Sequence, residues 1–302
     1  MGIHDRSGFH RRLSRRELAG VAVGGANAWA QPSYPIIDSH VHVWKNDPRY
    51  PWAKETTSPP EKDATPEMLI EKMKKHGVAK TVLIQVIYYR WDNSYCLDAL
   101  ERYRQYFQAV ARVNPEDPAS PDHLSKLVGQ GFRGVRLSPN QTAAGDWIRG
   151  PLMPPLWKRC QSLRIPMTIL APITRMPDVA VLIDRFPDLT VVIDHMADCP
   201  LDQPHELGKL IALGRFPKVF VKISHTWSLS RQKYPWMDSQ EQVKRLYDAF
   251  GPRRLMWGTD WPMVERHATY GQALSVVRDE MKFLNEDDTS WVLSKTVEQV
   301  FW

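Results

Sequence analysis

Apolar and polar positions alternate along this chain at two different periods. Short runs rich in β-branched and aliphatic residues occur at 36–43, 80–86, 107–113, 134–138, 166–170, 190–194, 219–224 and 255–258. Amphipathic stretches with helical spacing lie between them at 66–76, 94–104, 121–129, 152–163, 178–186, 204–213 and 239–250, and two more, 270–284 and 287–300, close the chain. Thr65 before Pro66, Ser120 before Pro121 and Pro177 before Asp178 are helix-start signals. The runs at 81–84 and 190–193 are almost continuously apolar, as strands covered on both faces should be. Eight such strands separated by helices predict an α/β fold, a single (β/α)8 TIM barrel over residues 31–302, rather than an open doubly wound sheet. No GxGxxG follows the first strand, so a dinucleotide site has no support. The longest irregular segment, 44–64, is rich in Pro, Trp and charge; in a barrel it is a loop on the catalytic face, suited to a lid or substrate wall.

Composition changes this picture little. A chain of 302 residues with 43% hydrophobic and 25% charged residues has the makings of a large core. Of the net charge of +6, half belongs to residues 1–30, where Arg6, Arg11, Arg12, Arg15 and Arg16 outnumber Asp5 and Glu17. The remaining +3, without a basic stripe, argues against a nucleic-acid partner and is compatible with a small anionic substrate. Cys96, Cys160 and Cys199 form no CxxC pattern and are expected as buried free thiols.

The N-terminus reads as an address. Arg15 and Arg16 precede a weakly apolar run, 18–30, that ends Ala28-Trp29-Ala30, an A-x-A cleavage pattern. The order resembles a twin-arginine export signal, which implies a periplasmic protein beginning near Gln31. The alternative is a basic tail on a cytoplasmic protein. The run is too short for a membrane span, which needs about 20 apolar residues.

Barrel active sites lie at the C-terminal ends of the strands, and several strands here end in residues a core would not tolerate. The first ends Asp38-Ser39-His40-Val41-His42, and positions i and i+2 share a face, so His40 and His42 project together. Two convergent imidazoles suit a divalent metal, although paired structural histidines give the same pattern. The sixth strand ends at Asp194-His195 and the eighth at Thr259-Asp260. Alone, His195 reads as a core histidine and Asp260 as a helix cap; on one rim they read as catalytic groups. Arg136, ahead of Arg133, either pairs a substrate carboxylate or forms an internal salt bridge. Lys222 polarises a carbonyl, binds an anion or pairs a nearby acid. Gln85 and His225 are further rim candidates, and Tyr88-Tyr89-Arg90-Trp91 is either a pocket wall or helix packing.

These residues resemble the amidohydrolase superfamily, and more narrowly its amidohydrolase-related branch of sugar-acid lactonases, pyrone-dicarboxylate lactonases and metal-dependent decarboxylases. The matching segments are IIDSHVHVW (36–44), FRGVRLSP (132–139), VVIDHMADCP (191–200), VFVKIS (219–224) and RLMWGTDWP (254–262), in family order. The resemblance implies that His40 and His42 are the first-strand metal pair, with Asp260 as third ligand and activator of the attacking water, and His195 as the sixth-strand histidine. Two departures matter: the fifth strand carries no terminal histidine and the fourth no bridging lysine. Both point toward the lactonase side and a single metal, zinc ahead of manganese or none. The expectation is therefore a hydrolase that opens a lactone of a small organic acid. Its rivals are a metal-dependent decarboxylase or hydratase and a non-catalytic periplasmic binding barrel.

Overall fold

A computed structural model of the chain describes residues 32–138 and 147–302, so the leader assigned to residues 1–30 lies outside the described residues. All eight strands form: β1 (Ile36–Val41), β2 (Val78–Ile84), β3 (Phe107–Arg112), β4 (Val135–Leu137), β5 (Met167–Ile169), β6 (Val191–Ile193), β7 (Val219–Lys222) and β8 (Leu255–Met256). Each pairs in parallel with the next in chain order. Beyond β8 the chain returns to β1. The Ser39 N–H donates to the Trp257 carbonyl (3.1 Å), the Asp260 N–H to the His40 carbonyl (2.8 Å) and the His42 N–H to the Trp261 carbonyl (2.7 Å). These bonds bring the sheet round onto itself as a (β/α)8 barrel.

The helices are α1 (Pro66–His76), α2 (Ser94–Arg102), α3 (Ser120–Gly129), α4 (Met153–Leu163), α5 (Met176–Arg185), α6 (Gly208–Ile211), α7 (Thr226–Leu229), α8 (Met237–Phe250), α9 (Tyr270–Ser275), α10 (Glu286–Ser290) and α11 (Thr296–Phe301). In α1, Thr65 caps the Met68 N–H, Pro66 opens the first turn and Gly77 ends the helix at φ 70°. Its buried residues Leu69, Ile70 and Met73 recur at helical spacing and face the sheet. The expected helix over 204–213 is mostly turn and 3-10 structure, with α6 its one α-helical turn; Pro204, Gly208 and Gly214 weaken it. The two closing stretches are broken by π-helical turns at Val276–Glu280 and Trp291–Lys295.

The core has two layers. One fills the space between strands and helices; the other consists of Ile37, Val82, Ile84, Val110, Val192, Phe220 and Met256, joined by Val297 and Phe301 of α11. Residues two apart on a strand share a face. Arg112, Asp194 and Lys222 therefore follow Val110, Val192 and Phe220 as a polar layer stacked on the apolar one. All three cysteines are buried and free.

Close packing at the β1–β8 seam depends on one glycine. A Cβ at Gly258 would sit 2.9 Å from both His40 Cβ and Ser39 Oγ. Gly258→Ala is expected to destabilise the protein by about 1–3 kcal/mol, the usual penalty of overpacking. Urea unfolding measures it, and an unchanged midpoint would show that the seam can relax.

Candidate active site

Asp38 ties the first strand to the last. It is fully buried, and its Oδ1 accepts from the backbone N–H of His40 (3.1 Å) and Thr259 (3.0 Å). Its Oδ2 accepts from the Thr259 hydroxyl (2.6 Å) and the Tyr270 hydroxyl (3.0 Å). Burial pushes this carboxyl up to about 6, against the pull of those four bonds. The result fixes the backbone on either side of His40 and Asp260.

His42 donates from Nδ1 to the carbonyl of Ile84 at 2.7 Å; a carbonyl can only accept, so in the neutral ring Nε2 carries the lone pair. That Nε2 lies 3.2 Å from Asp260 Oδ1 and 3.3 Å from His40 Nε2, and His40 Nε2 is 3.6 Å from the same oxygen. Asp260 Oδ1 is buried and accepts no hydrogen bond among the described residues. The His42 lone pair and the unsatisfied carboxylate oxygen repel each other unless a cation lies between them, and with the His40 ring beside them this donor set fits a divalent metal. His195 overlaps the set, since ligand atoms of His40, His195 and Asp260 also lie within 4.8 Å of one another. Either imidazole, His42 or His195, is therefore placed to complete a donor set with His40 and Asp260.

The other Asp260 oxygen is engaged. His225 Nε2 lies 2.9 Å from Asp260 Oδ2, and His225 Nδ1 is 2.9 Å from Asp198 Oδ1. Burial would lower this imidazole, but the two carboxylates prevail and raise it to about 9, so His225 is an imidazolium at neutral pH. Asp260 in turn is held well below the usual carboxylate range, despite burial, chiefly by the charged His225. His195 stacks on His225 with ring centroids 3.6 Å apart, and its Nδ1 is 2.7 Å from the Ser224 hydroxyl. Burial and the charged neighbour push His195 well down, so it is neutral. The backbone at His195, His225 and Asp260 is left-handed, with φ of 52°, 66° and 56°. Non-glycine residues adopt that conformation at about 1–2 kcal/mol each, and such strain gathers at functional sites. It turns each side chain off its strand end and onto the rim.

Beneath this group sits a buried ion cluster. Asp194 Oδ2 accepts from Arg136 Nε at 2.9 Å, and Asp194 Oδ1 lies 3.1 Å from Lys222 Nζ and 3.5 Å from His40 Nδ1. Burial alone would raise the Asp194 carboxyl, but Lys222, His40 and Arg136 hold it well below its ordinary range. Lys222 is pulled down by burial, and His40 well down by burial and by Lys222.

The structure thus gathers His40, His42, His195, His225, Asp260, Lys222 and Arg136 at one end of the barrel. Arg136 and Lys222 are engaged there with Asp194. Gln85 stands apart: its amide donates to the Asp92 carbonyl at 2.5 Å and braces the segment after β2. The 44–64 segment is irregular, as expected. Trp44 packs edge-on against Tyr88 and Trp52 stacks on Tyr89, and the segment walls a cleft of about 650 Å³ with Trp261, Pro262 and Arg266. Sequence reasoning missed Asp38, Asp194, Asp198, Ser224 and Thr259, although all but Asp198 are polar residues at the ends of apolar runs. Tyr270, on α9, carried no such signal.

A parallel barrel with a His-His-Asp donor set at its strand ends defines a class of metal-site hydrolase scaffold. The match of residues 37–301 to the amidohydrolase family model places the chain in that family. It is 27% identical over 241 residues to an L-fucono-1,5-lactonase of Burkholderia ambifaria, covering 78% of this chain and 83% of that protein. It is 27% identical over 234 residues to a 4-sulfomuconolactone hydrolase of Hydrogenophaga intermedia, covering 74% of each. Among solved structures, an amidohydrolase of Burkholderia multivorans with bound zinc superposes with a TM-score of 0.75 at 21% identity, covering 88% of this chain and 99% of that one.

Removing one member of a buried ion cluster leaves the others uncompensated, at a penalty of about 3–5 kcal/mol. Asp194→Asn should lose stability on that scale, and adding Lys222→Met should recover part of it. A double-mutant cycle in urea tests this, and strict additivity would show that the pair is not coupled.

Proposed function

We propose that this chain hydrolyses a lactone, or a similar cyclic ester, of a small anionic organic acid. The observation that carries the reading is the unsatisfied Asp260 Oδ1 facing the bare Nε2 of His42. Two curated relatives are named for lactone substrates, and one of those names denotes an anionic lactone. The absence of a histidine in β5 or just after it, where the chain reads MTILA, separates this site from the decarboxylase pattern.

A divalent metal, zinc in this proposal, would be held by His40, His42 and Asp260 and would supply Lewis-acid polarisation of the carbonyl and acidification of water. The protein's own groups account for the proton traffic. Asp260 Oδ1 accepts a proton from the attacking water while His225 holds Oδ2 and keeps the carboxylate ionised. His195, with the Ser224 hydroxyl donating to Nδ1, presents Nε2–H to the carbonyl oxygen and stabilises its developing charge. The hydroxyl adds to the carbonyl carbon, the ring C–O bond breaks, and the departing oxygen takes the proton from Asp260. The product is a hydroxy acid.

Asp260→Asn should lower turnover by about 10²–10⁴-fold in protein that still folds, as an unchanged far-UV spectrum would show. A panel of carboxylated lactones, with carbon dioxide release followed in parallel, is the assay. Retained turnover in the variant would remove Asp260 from the mechanism, and carbon dioxide release would transfer the chain to decarboxylation. Elemental analysis before and after chelation tests the metal: about one zinc per chain, with activity lost on its removal, is expected.

We further propose that residues 1–30 direct twin-arginine export to the periplasm. Protein recovered from periplasm should begin at Gln31, and the Arg15→Lys, Arg16→Lys double variant should stay in the cytoplasm with its leader attached. Equal export of the double variant would refute the address.

A further inference from the structure

Arg112 occupies the last position of β3 and is 1% exposed, in a protein where a buried guanidinium needs an anion. Its Cα register partner is Arg136 of β4, so two arginines stand side by side on the interior face. Arg136 has Asp194; Arg112 has no ion pair among the described residues. Its Nη1 donates to Ser138 Oγ at 3.0 Å, its guanidinium carbon lies 5.6 Å from the Trp91 ring centroid, and its Nε is buried without a partner. Burial, then Arg136 and Arg90, pulls the group down to about 9. Arg112 and Trp91 also border a cavity of about 570 Å³, shared with Asn114, His123 and Lys126.

We propose that Arg112, flanked by Ser138 and Arg136, is the subsite that receives the substrate's carboxylate. A planar carboxylate matches the unpartnered Nε edge of a guanidinium, and the ion pair it forms would be shielded from water by the barrel wall and Trp91. An arginine beside a second arginine, with one donor left unmade, is organised for an anion that arrives from outside. A purely structural arginine would have its donors satisfied in the resting protein. Arg112 is thus the specificity-determining residue for the acid group, while the ester is cleaved at the rim. This assignment rests on the lactonase reading for its substrate, but its binding test does not.

The test compares the unaltered protein with Arg112→Gln and, should that variant fail to fold, Arg112→Lys, which keeps charge but not the bidentate edge. Glutarate and citrate serve as binding probes, read by thermal shift and calorimetry. Both should bind the unaltered protein and bind either variant at least about tenfold more weakly, as loss of a charged hydrogen-bonded pair predicts. In kinetics, KM for a carboxylated lactone should rise by about the same factor, with kcat and the hydrolysis of an uncharged lactone little changed. Carboxylates that fail to bind the unaltered protein, or that bind the variants equally well, would overturn the subsite. Equal losses on charged and uncharged lactones would also overturn it. Should no lactone be turned over by the unaltered protein, the lactonase reading fails, and probe binding alone still decides the role of Arg112.

Discussion

A cation withdrawn from water needs an anion within a few ångströms, and at the top of this barrel Asp194 serves two of them. Arg136 approaches from β4 and Lys222 from β7, one to each carboxylate oxygen, with the His40 ring adjacent. Without that carboxylate the strand ends could not bring so much positive charge together. With it, the barrel has a rigid ionic floor directly under the donor set. Because Asp194 is followed at once by His195, the residue that balances the floor also sets the position of a rim group.

Asp38 plays the complementary part. Asp194 neutralises charge, whereas Asp38 accepts four hydrogen bonds that lock β1 against the segment after β8 and against α9. The left-handed residues then exploit this stiffness. His195, His225 and Asp260 hold a conformation that a loose loop would abandon, and each is kept there by partners on a neighbouring element. Strain at the rim and the four bonds to Asp38 are two sides of the same arrangement.

Much of this was legible in the residues themselves. The alternation of apolar runs and helical stretches is controlled by burial, so it gave all eight strands with ends displaced by only a few residues. The HxH pair, His195 and Asp260 were visible because each interrupts or follows an apolar run with a side chain that has no place in a core. Asp194 and Asp38 obey the same rule and were overlooked, since each was overshadowed by a histidine one or two residues on. Arg112 lies within the run 107–113, whose pattern is that of an ordinary strand. The partition of Arg136 and Lys222 between substrate and internal acid could not be read at all, because Asp194 meets them only through strand order and register. The breaks in the closing helices also escaped, since a π-helical turn keeps the apolar periodicity nearly intact.

The interior cluster also makes the site depend on a distant helix. Ile37 of β1 shares that cluster with Val297 and Phe301 of α11, and the Phe301 ring lies 5.8 Å from Lys222 Nζ. The contact joins residues more than 250 positions apart, so the plug beneath the ion cluster comes from a helix far along the chain from the first strand it seals. Without α11 that layer would lose Val297 and Phe301, and the ion cluster would be open to water from below.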